Sequence, residues 1–136
     1  DGKKKRPVMI HRAITGSLER FIGILTEHFQ GAFPTWLAPV QVIVLPLSDK
    51  FLDYAQNVGK DLKSSNIRVE VDMRNETLQA KIRDATLQKI PYILVVGAKE
   101  VEAKSVAVRA RDGKNLGQMS TDQFKDKITG EIENKA

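Results

Sequence analysis

Seven side chains in the second half of the chain are equipped for recognition chemistry: Arg74, Asn75, Lys81, Arg83, Glu100, Arg109 and Arg111. They combine fixed cations, one amide and one carboxylate. Such a set donates to and accepts from the polar edges of a ligand. The segments around them punctuate short strands, and strand ends are where α/β sheets commonly place ligand sites. The competing reading is a solvated charged face. The charge balance allows an acidic partner such as nucleic acid, with a modest imbalance: Lys plus Arg exceed Asp plus Glu by 22 to 17, and the excess lies in residues 1–37 and 74–114.

Other chemistries lack their residues. There is no cysteine, which removes disulfides, thiol catalysis, iron–sulfur clusters and Cys-based zinc sites, and fits a reducing cytosol. Neither G-x-G-x-x-G nor G-x-x-x-x-G-K-[ST] occurs, so two common phosphate loops are missing. His11 and His28 are not at the i,i+4 spacing of a helical metal site. Taken alone, His11 reads as a hydrogen-bonded structural histidine on a strand, and His28 as a residue favouring a helix C-terminus. Ser17 has no nucleophile-elbow context. No apolar run approaches the roughly 18–20 residues that span a bilayer, so no membrane partner is expected. The chain starts at Asp1 without an initiator methionine, and the basic run Lys3–Arg6 is not followed by a signal-peptide pattern, so a piece of a longer protein is expected.

The elements that would position these residues follow from hydropathy periods. Residues 7–14 are short, apolar and β-rich, and predict a strand ending at Gly16. Leu18, Phe21, Ile22, Leu25 and Phe29 then form one helical stripe, with Ser17 as cap and Gly31 as stop. Residues 32–39 read as a linker. The unbroken apolar run in 40–47 suits a strand buried on both faces. A helix follows from Ser48 or Asp49, burying Leu52, Ala55, Val58 and Leu62. Residues 67–73 alternate as a half-buried strand, and 76–89 predict a charged helix with Leu78, Ile82 and Ala85 inward. Strands are expected at 90–96 and 105–110, with a turn at Asp112-Gly113 and a short edge strand at 116–119. A last helix starts at Ser120 or Thr121, where Ser120-x-x-Gln123 resembles a capping box, and buries Phe124, Ile128 and Ile132. The sum is an α/β domain over about 40–136, a mixed, mainly parallel sheet of about five strands flanked by three helices, preceded by a strand–helix piece over 7–37.

Longer stretches carry a resemblance. Pro7-Val-Met-Ile-His-Arg-Ala-Ile14, the Gly16-x-x-Glu19-Arg20-Phe21 element within 16–28, and Gly31-Ala-Phe-Pro-Thr-Trp-Leu-Ala-Pro-Val-Gln41 resemble the end of a class II catalytic domain in the bacterial threonyl-tRNA synthetase family. Arg74-Asn-Glu76, Lys81-Ile-Arg83, Pro91-Tyr92, Val95-Val-Gly97, Lys99-Glu-Val-Glu102 and Val106-Ala-Val-Arg109 resemble that family's anticodon-binding domain, a module that prolyl, histidyl and glycyl enzymes share in similar form. The resemblance divides the chain into 1–38, the third class II motif plus linker, and 39–136, the anticodon-binding domain.

The resemblance implies roles that spacing alone does not give. Arg20 would clamp ATP, brought as its magnesium complex, and His11 would be one of three ligands of a catalytic zinc, both only in the full enzyme. The remaining ligands and the first two class II motifs are not in this sequence, so no cofactor is expected for the chain alone. Asn75, Glu100 and Arg109 match base-reading positions, and Lys81 and Arg83 would meet phosphates. Threonine anticodons share G then U at their second and third positions. Arginine can donate twice to guanine O6 and N7, glutamate can accept from its Watson–Crick edge, and asparagine suits uracil, provided the bases splay out of the loop. The implied partners are the threonine tRNA anticodon loop and, through the catalytic domain, a second copy of the full enzyme, in the cytoplasm. One departure stands out: Thr77-Leu78-Gln79 replaces the Lys-Ile-Gly of many bacterial members. Three other readings remain: a similar module of another class II synthetase, a small-ligand α/β module, and a stand-alone RNA- or protein-interaction domain.

Overall fold

The computed structural model describes residues 2–13 and 15–135. Five strands form one mixed sheet in the order β2-β1-β3-β4-β5. They are β1 (Val42–Pro46), β2 (Val69–Val71), β3 (Tyr92–Val96), β4 (Ser105–Ala110) and β5 (Asn115–Ser120). β1 pairs in parallel with β2 and β3, with Val42 opposite both Val69 and Tyr92. β4 and β5 add antiparallel, so the parallel core carries an antiparallel edge as the sequence predicts. All five β1 residues are buried, because it is central and covered on both faces.

Side-chain alternation sorts the core into two layers. Val42, Val44, Leu94, Val96, Val106 and Val108 face α2 (Leu52–Ser64) and α5 (Thr121–Glu133), meeting Ala55, Leu62, Phe124 and Ile128. Ile43, Leu45 and Ile93 face the other way, against Ala85, Leu78 and Ile82 of α3 (Leu78–Leu87). α5 starts in the capping box expected of Ser120 and Gln123. α3 starts two residues later than the sequence predicts, because Thr77 Oγ1 accepts from the Ala80 amide at 3.3 Å. The departure at Thr77 therefore supplies a helix cap. Before α2 a 3-10 turn (Asp49–Phe51) intervenes, and Ser48 makes no side-chain capping bond. A five-residue helix, α4 (Ala98–Glu102), lies in the β3–β4 connection, a stretch to which the hydropathy periods assign no element.

The N-terminal piece departs further. α1 (Leu18–Phe29) is capped by Ser17 and stays outside the sheet, as expected, ending at Gln30 one residue before Gly31. The strand expected over 7–14 is not found: residues 7–13 are irregular and exposed, and Ile14 lies outside the described residues. An isolated strand leaves its backbone groups to water, so apolar β-branched composition alone does not make one.

The expected linker is not slack. Gln41, fully buried, donates from Nε2 to Thr35 O and accepts from the Arg68 amide, both at 2.9 Å. Arg68 donates to Ala38 O and Trp36 O, and Arg111 Nη1 to Phe33 O at 2.7 Å. Thr35 and Tyr92 both donate to Glu131, which also pairs with Lys127, and the Lys127 ammonium sits 5.3 Å from the Tyr92 ring centre. Burial pushes the Glu131 carboxyl up, but the hydrogen bonds from Lys127 and Tyr92 outweigh it and hold the group below its ordinary 4.5. A lowered folded value stabilises fully above the unfolded pKa and is lost as pH falls through the folded one. Glu131→Gln is expected to flatten the fall in melting temperature between about pH 6 and about pH 3, followed by circular dichroism. An acid profile identical to wild type would show that the cluster adds nothing.

Candidate functional site

The parallel strands deliver their carboxyl ends to one edge of the sheet. There the chain leaves β2 toward Asn75, β1 toward Leu47, and β3 toward Gly97 and Glu100, in the spatial order β2-β1-β3. Asn75 and Glu100 thus flank the end of β1 on a common edge. Asn75 is exposed in a bend whose stem is tied down on three sides. Asp72 accepts from the Arg74 amide at 2.9 Å and from the Arg74 guanidinium at 2.7 Å, and the guanidinium also reaches Asp84 on α3 at 2.8 Å. The Arg74 hydrogen bonds hold the Asp72 carboxyl below its ordinary value against the opposing effect of burial. The same bonds, from Asp72 first and Asp84 second, push the Arg74 pKa further up, so the pair stays charged at neutral pH. Lys81 Nζ donates to Asp72 O at 3.2 Å.

Two expectations change with this geometry. Lys81 is 4% exposed, its ammonium spent on the base of the Asn75 loop, so the surface phosphate contact expected of it is replaced by an interior, positioning one. Arg83, on the same helix, is exposed and remains available to phosphate. The second change concerns strand direction. The sequence reading groups Arg109 and Arg111 with Arg74, Asn75 and Glu100 at strand ends, but β4 runs antiparallel to β3, so its end lies at the opposite edge. Arg111 there binds Phe33 O and serves the linker.

Arg109 instead belongs to the sheet face. It stands opposite Ile93, and Ala107 opposite Val95, which puts both on the side α3 covers farther along the sheet. Across β5, Ala107 faces Gln118. Ala107 and Arg109 are half-buried and Gln118 exposed, so this part of the face is open and polar. The β4–β5 register shifts between Val108 and Arg109, where Gly117 takes a φ of +84 that favours glycine. Such bulges bend a strand and re-aim the side chain beside them. No hydrogen bond or ion pair engages the Arg109 guanidinium among the described residues. Arg74, at the carboxyl edge of the parallel strands, is by contrast paired with Asp72 and Asp84.

Glu100 Oε2 accepts from the Gly97 amide at 3.0 Å, capping α4 and fixing the carboxylate while its second oxygen stays available. The structure therefore brings Asn75 and Glu100 to one edge and Arg109 to the adjoining open face. A groove of about 460 Å³ beside β2, lined by Asp72, Arg74 and Gln88 among others, includes none of these three. Sequence reasoning missed the Asp72–Arg74–Asp84 tie and the Gln41–Arg68 clamp. The first had a signal in the short Asp-x-Arg spacing, whereas the second joins residues 27 apart and had none.

His11 is exposed in the irregular segment, and Arg20 is exposed on α1. Among the described residues no group of three His, Cys, Asp or Glu side chains could hold a metal ion. One imidazole does not fit a zinc site. No helix among the described residues is long and apolar enough to cross a membrane.

Comparisons with known proteins converge on one class. The family described as "Anticodon binding domain" matches residues 41–131. The chain is 60% identical over 136 residues to a threonine–tRNA ligase of Caldanaerobacter subterraneus subsp. tengcongensis, covering 100% of this chain and 21% of that protein. It is 58% identical over 135 residues to a threonine–tRNA ligase of Clostridium botulinum, covering 99% and 21%. The chain thus spans about a fifth of the length of the curated relatives it matches. Among solved structures, the RNA binding domain of threonyl-tRNA synthetase from Cryptosporidium parvum superposes with a TM-score of 0.80 at 37% identity, covering 88% of this chain and 30% of that one. A histidyl-tRNA synthetase from Nostoc sp. PCC 7120 superposes at 0.64 and 19% identity over 69% of this chain and 23% of its own, which shares the fold alone.

Proposed function

The chain belongs to the anticodon-binding domain family, and on that premise we propose that it recognises the anticodon loop of threonine tRNA as part of a threonine–tRNA ligase. The observation that carries the reading is an uncommitted guanidinium on an open sheet face. Arg109 is held on a strand beside a bulge and, among the described residues, is paired with no carboxylate. A guanidinium so placed is suited to the two acceptors of guanine. Glu100 offers a fixed carboxylate to a base edge, Asn75 an amide to uracil, and Arg83 a charge to the backbone. Phosphate contacts of that kind supply affinity and salt dependence without reading sequence. Titration of the chain with a threonine anticodon stem-loop, and with a loop whose second-position guanine is replaced, tests the reading: equal affinity for the two rejects it.

The relatives' whole activity, joining threonine to its tRNA with ATP in the cytoplasm, is part of the same proposal. So are dimerisation through a catalytic domain, the division near residues 38 and 39, and the roles of Arg20 toward ATP and His11 toward zinc. Within this chain one arginine and one histidine do not assemble an adenylate-forming centre. The purified chain is therefore expected to show threonine-dependent pyrophosphate exchange at background. Exchange above that level would mean that these 136 residues hold chemistry this reading denies them.

A further inference from the structure

From the contacts at the end of β1 we infer that Leu47 is an apolar platform on which the base read by Glu100 lies, a contact deepening, and resting on, the anticodon-binding proposal. Leu47 follows the central strand and is 53% exposed, although its amide is fixed to Val96 O at 2.9 Å. A single exposed leucine is ordinary on a protein surface. Its neighbours make this one different. A methyl group built on Gly97 would lie 3.2 Å from Leu47 Cδ2 and 3.3 Å from Glu100 Oε2. The leucine side chain and the carboxylate therefore meet over Gly97 and fill the space that a side chain there would need.

This juxtaposition suits a planar heterocycle. The Glu100 carboxylate is immobilised by the Gly97 amide at 3.0 Å, so its free oxygen presents a preset acceptor. A base that donates its Watson–Crick edge to that oxygen has its ring against the exposed side of Leu47, whose other side packs over Gly97. Every base has an apolar face, so the platform adds affinity while the carboxylate adds selectivity.

The test measures binding of the full chain to two RNA hairpins by fluorescence anisotropy at one salt concentration. One hairpin carries the intact threonine anticodon loop, and the other an abasic nucleotide at its second anticodon position. Leu47→Ala is expected to weaken the intact hairpin about tenfold, in the lower half of the range for a lost stacking contact. Leu47→Met, which keeps an apolar surface, should restore affinity to within about threefold of wild type. On the abasic hairpin, wild type and Leu47→Ala should bind alike. Unchanged melting curves are expected for both variants, since the side chain is mostly in water. Equal affinity of wild type and Leu47→Ala for the intact hairpin would overturn the platform, as would an equal loss on both hairpins. A wild type indifferent to replacement of the guanine would overturn the anticodon reading itself, and the platform with it. A loss of guanine preference in Glu100→Gln, with Leu47→Ala silent, would leave that reading standing and remove only the platform.

Discussion

Replacement of Arg109 by alanine is expected to erase most of the preference for guanine at the second anticodon position while leaving the domain folded. A bidentate arginine–guanine contact is worth about 1–3 kcal/mol of discrimination. The effect should fall on the ratio of affinities for guanine and guanine-replaced loops, compared at fixed salt. Its cost to stability should be small. Arg109 is half-buried and forms no ion pair among the described residues, including none with Glu100, which the sequence alone allows as a partner across neighbouring strands. The strand around it keeps its pairing to Ile93 whatever the side chain. If wild type and Arg109→Ala prefer guanine equally, another residue is the reader.

Much of this is legible in the sequence. The apolar run that becomes β1, the alternation near β2 and the stripe of Phe124 and Ile128 are burial patterns, and burial leaves a period in sequence. Asp112-Gly113 marked the antiparallel turn for the same reason that turns favour those residues. What escaped was set by partners distant in the chain. Residues 7–13 have strand composition but no strand to pair with, and composition cannot supply one. The linker looked slack because its clamp comes from Arg68, Arg111 and Glu131, none of them local. Strand direction was the subtler gap. Reading Arg109 as a strand-end residue was right, but the antiparallel edge turned that end away from Asn75 and Glu100. The proposed site is therefore drawn from an edge and a face, not from one row of loop residues.

Lys81 was the clearest inversion, and it separates two roles that sequence treats alike. Lys81→Ala is expected to lower the melting temperature by about 5 °C, the equivalent of about 1–2 kcal/mol, and to leave the salt dependence of RNA binding unchanged. The reasoning is local. The ammonium is buried and donates to Asp72 O, and the Asp72 carboxylate in turn holds the Arg74 amide and guanidinium. Losing it strands a buried carbonyl, opens a void beneath α3 and loosens the loop that presents Asn75. Lys81→Met, which keeps the stem and drops the charge, should recover the packing part of that loss and not the hydrogen-bond part. Arg83 should behave in the opposite way. Its side chain is exposed, so Arg83→Ala should leave the melting curve in place and reduce the slope of log affinity against log salt by about one phosphate contact. The pair forms a control for itself, because two cations two residues apart on one helix point to different environments. A Lys81→Ala protein that melts like wild type and loses salt dependence would mean that the ammonium swings out to meet the RNA, and that the Asn75 loop is held by Asp72, Arg74 and Asp84 alone.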